Sequence, residues 1–144
     1  MNVFGMFLAL MAGSLGSIQG AINSYVGKSS GQYVMIVGVS LVQVIISLII
    51  VVSRGEAKMV STGPALWMLV SGLLGVFLMF AVSFSIGSLG TLPVYVLLIL
   101  GQVLFSACMN HFGWFGTPQS PITLQKLGSI LIILFGVFCL VKSS

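Results

Sequence analysis

Five long apolar runs, parted by four short breaks, decide what this chain can be. A helix rises about 1.5 Å per residue and needs about 20 residues to cross about 30 Å of hydrocarbon. The runs 3–22, 32–52, 64–85, 92–110 and 122–141 reach that length. Of the 144 residues, 58% are hydrophobic and 4% charged. A soluble domain carries about 25% charged residues. Six charged side chains cannot give a folded body a surface that water wets, so an all-α membrane protein is expected, with one transmembrane domain over residues 1–144. The fifth run is the weakest. Its unbroken apolar core is 127–141, and it spans only if Gln125 and Lys126 snorkel to the headgroups. Four spans with an interfacial fifth helix is the alternative.

The breaks carry their own signals. "GKSSGQ" (27–32) is polar and holds glycines, and "SRGEAKMVSTGP" (53–64) contains three of the six charges. "GSLG" (87–90) is so short that helices three and four are expected to be antiparallel neighbours. "FGTPQSP" (115–121) has two prolines. Pro64 and Pro121 suit a first helical turn, where a missing N–H costs nothing, and Ser120 is the expected cap before Pro121. Trp67 and Trp114 fall where indoles favour the membrane–water interface.

The charges exclude several classes of function. Lys28, Arg54, Lys58, Lys126 and Lys142 stand singly at the ends of apolar runs, with no basic cluster for nucleic acid. The chain has no Asp, and its one carboxylate, Glu56, lies in a loop, so a membrane-embedded acid that binds a cation and carries its proton is not available. No metal-ligand spacing, phosphate loop or acid-bearing catalytic set is present; no metal and no cofactor is expected, and an enzyme is not. Cys108 and Cys139 are isolated thiols, expected as small buried apolar residues. Arg54, Lys58 and Lys126 would lie on one side of the membrane and Lys28 and Lys142 on the other. That three-to-two split barely sets an orientation, so either one weakly specified topology or insertion both ways follows. An odd helix count cannot hold an inverted internal repeat, and a transporter with two opposed halves would need two copies of the chain.

Polar residues inside the runs are costly unless they face protein or water. Gln19 and Asn23 share a face of helix one, just after the Gly16 and Gly20 GxxxG. Ser40, Gln43 and Ser47 share a face of helix two; Gly72, Gly75, Met79 and Ser83 form a small face on helix three. On helix four Gln102, Ser106 and Asn110 recur every fourth residue, and Gly128 and Gly136 mark helix five. Two readings stand. The small residues Gly16, Gly20, Gly72, Gly75, Gly128 and Gly136 fit helix packing, where interhelical polar contacts average about 0.6 kcal/mol. The carboxamides of Gln19, Asn23, Gln43 and Gln102 equally fit the lining of a polar cavity, and Gln43 and Gln102 are central in their runs.

The one histidine, His111, stands in "NHFGWFG" (110–116), where helix four gives out. Asn110 and His111 are expected at a cavity mouth, Gly113 and Gly116 to let the backbone turn, and Phe112, Trp114 and Phe115 to anchor the turn at headgroup level. A plain interfacial cap is the alternative for His111.

"GSIQGAIN" (16–23), "GQ" (101–102) and above all "NHFGWFG" resemble the YdcZ family, small bacterial inner-membrane proteins of the drug/metabolite transporter superfamily. "LGSILIILFGVFCL" (127–140) is similar to the glycine-bearing last helix of that superfamily's repeat. The resemblance covers essentially the whole chain. It implies five-helix subunits that pair in dual topology, here an antiparallel homodimer forming a ten-helix transporter-like bundle in the cytoplasmic membrane. The expected partners are a second copy, membrane lipid and a small solute. The expected substrate-binding residues are Gln19, Asn23, Gln43, Gln102, Ser106, Asn110, His111 and Trp114, with helices one to four lining the cavity and helix five at the periphery or the dimer contact. An aspartate often precedes the histidine in the family motif; Asn110 stands there, which weakens a carboxylate–histidine proton relay. The solute expected is neutral, zwitterionic or a weakly held cation. A dual-topology ion channel and a non-transporting membrane subunit are the alternatives.

Overall fold

A backbone in hydrocarbon has no water to bond, so each apolar run must satisfy its own N–H and C=O groups, and a helix does so within one segment. The computed structural model describes residues 3–55 and 61–143. It contains α1 (Val3–Ser30), α2 (Gln32–Arg54), α3 (Thr62–Leu89), α4 (Thr91–Phe112), a 3-10 turn (Trp114–Gly116) and α5 (Leu124–Ser143). The first four helices are long and apolar enough to cross a membrane, whereas the apolar stretch of α5, Leu124–Leu140, is shorter. Glu56 and Lys58 lie outside the described residues.

Several boundaries differ from expectation, each for a local reason. α1 continues to Ser30, beyond the expected 22, because the polar "GKSS" still bonds as helix: Gly31 N–H donates to Gly27 O at 3.1 Å. Gly31 alone (φ 95°) then separates α1 from α2, a conformation open to glycine. Gly55 in the left-handed region (φ 64°) closes α2. α3 starts two residues before Pro64, keeping the proline in its first turn, and extends to Leu89. At α5 the expected cap is wrong. The helix begins after Pro121, at Leu124, and Thr123 is the cap: its Oγ1 accepts the Lys126 N–H at 3.3 Å. Ser120 instead accepts a bond from the Lys126 side chain.

The chain forms two compact units, Met1–Ser88 and Leu89–Ser144. In the first, α1 and α2 pack together beside Gly31, with Gly20, Asn23, Ser24 and Gly27 of α1 buried along with Met35 and Ile36 of α2. The end of α3 joins this junction. Ser83 Oγ donates to Gln32 Oε1 at 2.8 Å, and Tyr33 stacks on Phe80 with centroids 5.7 Å apart. A Cβ on Gly27 would stand 2.5 Å from Gln32 Oε1, so only glycine lets the carboxamide fold down onto Ser83. In the second unit α5 returns along α4. Among the described residues only five apolar ones are buried (Met35, Ile36, Ile86, Val94 and Val137), so nearly all the apolar surface is left to lipid or to other protein. Cys108 and Cys139 are exposed, correcting the expectation of burial.

Candidate functional site

Where α4 ends, its last carbonyls lose their intrahelical donors. The segment after it supplies replacements. Gly113 enters the left-handed region (φ 67°), and its N–H returns to Met109 O. Thr117 Oγ1 also reaches Met109 O at 3.4 Å, Ser120 N–H donates to Asn110 O at 2.8 Å, and Gln119 Nε2 donates to His111 O at 3.4 Å. The reversal needs two further left-handed residues, Gly116 (φ 73°) and Phe115 (φ 55°). Left-handed backbone is uncommon for a side chain as bulky as that of Phe115.

This knot lays α5 against α4 so that two polar stripes face each other. Gln102, Ser106 and Asn110 of α4, with Ser120, Gln125, Lys126 and Ser129 from the linker and α5, line an open groove of about 520 Å³. Ligand sites commonly measure about 300–1,000 Å³. Ile99, Val103, Ile130 and Ile133 form part of its apolar wall. The periods agree: α4 presents every fourth residue, and α5 answers with Gln125 and Ser129, also four apart. Lys126 Nζ closes one end, donating to Ser120 Oγ at 2.6 Å and to Pro121 O at 3.0 Å.

Three expected site residues therefore share one groove: Gln102, Ser106 and Asn110. Two neighbours do not line it. The half-buried His111 accepts the Ile122 N–H on Nδ1 at 3.3 Å and meets Phe112 edge-on, so its ring ties the linker to α4. Trp114 stacks on Phe112 with centroids 5.6 Å apart, outside the groove. In the first unit Gln19 is exposed and Asn23 buried. Ser40, Gln43 and Ser47 line a shallow depression of about 350 Å³ on α2, built from that helix alone. Of the expected packing glycines, Gly20 is buried; a Cβ at Gly16, Gly72, Gly75, Gly128 or Gly136 would, its own helix's nearby backbone aside, meet nothing within 4 Å among the described residues.

Sequence reasoning missed Gln125, Lys126 and Ser129, because α5 was expected at the periphery and its first turn at the headgroups. The signal was available in the spacing of Gln125 and Ser129, which matches that of Ser106 and Asn110.

Four span-length apolar helices, a fifth apolar helix and a polar groove between two of them define a multi-pass helical membrane protein with a pocket of solute size. The model of the family described as "Putative inner membrane exporter, YdcZ" matches residues 4–139. The chain belongs to that family and is a multi-pass protein of the inner membrane. No curated protein and no solved structure matches it.

Proposed function

We propose that this chain is a small-solute carrier that works as an antiparallel homodimer, with the α4–α5 groove as half of its binding cavity. The observation behind this reading is the pairing of Gln102, Ser106 and Asn110 with Gln125 and Ser129 across an open groove. Packing glue would be expected to close on itself. These side chains instead stand exposed at the groove, where carboxamides can donate and accept hydrogen bonds without charge. Gln102 lies near the middle of α4, at the depth where an idle glutamine is costliest. A two-fold axis in the membrane plane would present each central carboxamide twice in the dimer. Cations fit this lining poorly, since among the described residues Lys126 is the one charge in the groove.

Packing remains the second reading for α2, whose stripe of Ser40, Gln43 and Ser47 lines a depression built from α2 residues alone. The test is solute flux through reconstituted Gln102→Met protein, normalised to monodisperse dimer. The carrier reading predicts an intact dimer with flux down about tenfold, the equivalent of one lost hydrogen bond of ~1.4 kcal/mol. Unchanged normalised flux with a lowered melting temperature would leave Gln102 as packing.

A further inference from the structure

The groove has one sign of charge. Among the described residues Lys126 is its only ionisable lining residue, and the Ser120 hydroxyl and the Pro121 carbonyl that accept from its ammonium are neutral. An ammonium has three donors, and the described residues accept from two of them. The Ser120 hydroxyl, accepting from Lys126, keeps its own proton to donate. Lys126 also stands in the first turn of α5, where the helix dipole is positive and adds to the same field. No Asp exists in the chain, and Glu56 is its one carboxylate, far off in sequence, so nothing in the groove balances a bound cation. About 12 Å separates Gln102 from Asn110 along α4, from eight residues at 1.5 Å each. Beside Ser106 and Ser129, the wall over that depth carries the apolar side chains of Val103, Ala107 and Ile130.

We propose that the groove takes a small amphipathic organic anion, a monocarboxylate. Its carboxylate meets Lys126 Nζ and the Ser120 hydroxyl, its apolar body lies along the isoleucines toward Gln102, and the carboxamides of Asn110 and Gln125 supply further N–H donors. This deepens the carrier reading and rests on it.

Benzoate, benzamide and benzylammonium share a size and differ in charge, so they separate the sign of charge from fit. Their effects on melting temperature are measured with the full chain in phosphatidylcholine nanodiscs, since a ligand that binds only the folded state raises it. The expected result is stabilisation by benzoate at a half-saturating concentration about tenfold or more below the other two. Lys126→Met should erase that preference and Lys126→Arg should keep it. Equal or better stabilisation by benzamide or benzylammonium, weakened by Gln102→Met but indifferent to Lys126→Met, would overturn the anion and leave the carrier reading standing. No response to any of the three, together with wild-type normalised flux in Gln102→Met, would overturn both. Nanodiscs containing phosphatidylglycerol provide the last arm: stabilisation by that lipid through Lys126, without a benzoate response, would make the anion a lipid headgroup and overturn the proposal.

Discussion

The two units place similar polar stripes in opposite circumstances. On α2, Ser40, Gln43 and Ser47 look outward over a shallow depression made by one helix. On α4, Gln102, Ser106 and Asn110 look across a groove at α5. The first unit spends its internal polar contacts elsewhere, at the α1–α2 turn, where Ser83 and Gln32 satisfy each other. The second secures its turn by capping carbonyls with the linker and leaves its carboxamides open. What separates a helix-junction polar group from a candidate site is therefore whether its partner stands within hydrogen-bond distance, since both kinds of residue are equally polar.

If a second, inverted copy covers the α2 stripe, orientation becomes the strongest lever on the comparison. Adding lysines to the loops on one side should trap a single topology and abolish transport, and an oppositely biased partner should restore it on co-expression. Impermeant labelling of single cysteines placed between residues 53 and 64 should reach both sides of the membrane; labelling from one side only would rule out the opposed dimer.

A smaller effect is expected at Gln43. Gln43→Met should keep the dimer and lower flux per dimer several-fold, less than about tenfold, because the shallow depression on α2 offers a ligand fewer partners than the groove does. A collapse of the dimer with normal flux in what survives would assign Gln43 to packing. Smaller again, Ser83→Ala removes the donor to Gln32 and should cost about 1 kcal/mol of stability, read as a lower melting temperature with normalised flux unchanged. The least effect is expected from His111→Gln, whose amide oxygen can take over the Ile122 N–H; flux and its pH dependence should stay as in the wild type. A changed pH profile would return the histidine to the site.

How much of this was legible depends on the residue. The five helices follow from apolar length, and the α4 stripe follows from the four-residue spacing of Gln102, Ser106 and Asn110. Gly113 and Gly116 were legible as turn residues because a chain leaving a helix needs left-handed backbone, which both adopt. The cap of α5 was not, since Ser120 before a proline competes with Thr123, and the winner depends on where the linker bonds back to Asn110 and His111. The extension of α1 through "GKSS" escaped because composition marks where a membrane ends, while a helix ends where its hydrogen bonds do. The α5 half of the groove escaped for a related reason: Gln125 and Lys126 satisfy a snorkelling pattern as well as a lining one.

The central claim is that the groove is open to water while neighbouring faces of α4 meet lipid. Single cysteines at Ser106, inside the groove, and at Phe105, beside it on α4, provide the contrast once Cys108 and Cys139 have been replaced by alanine. A small water-soluble thiol reagent requires the thiolate, which hydrocarbon suppresses. In native membranes Ser106→Cys should react about tenfold or more faster than Phe105→Cys, and Gln102→Met should leave that ratio in place. Equal, slow reaction at both positions would mean that the groove is closed by packing, and would contradict the account.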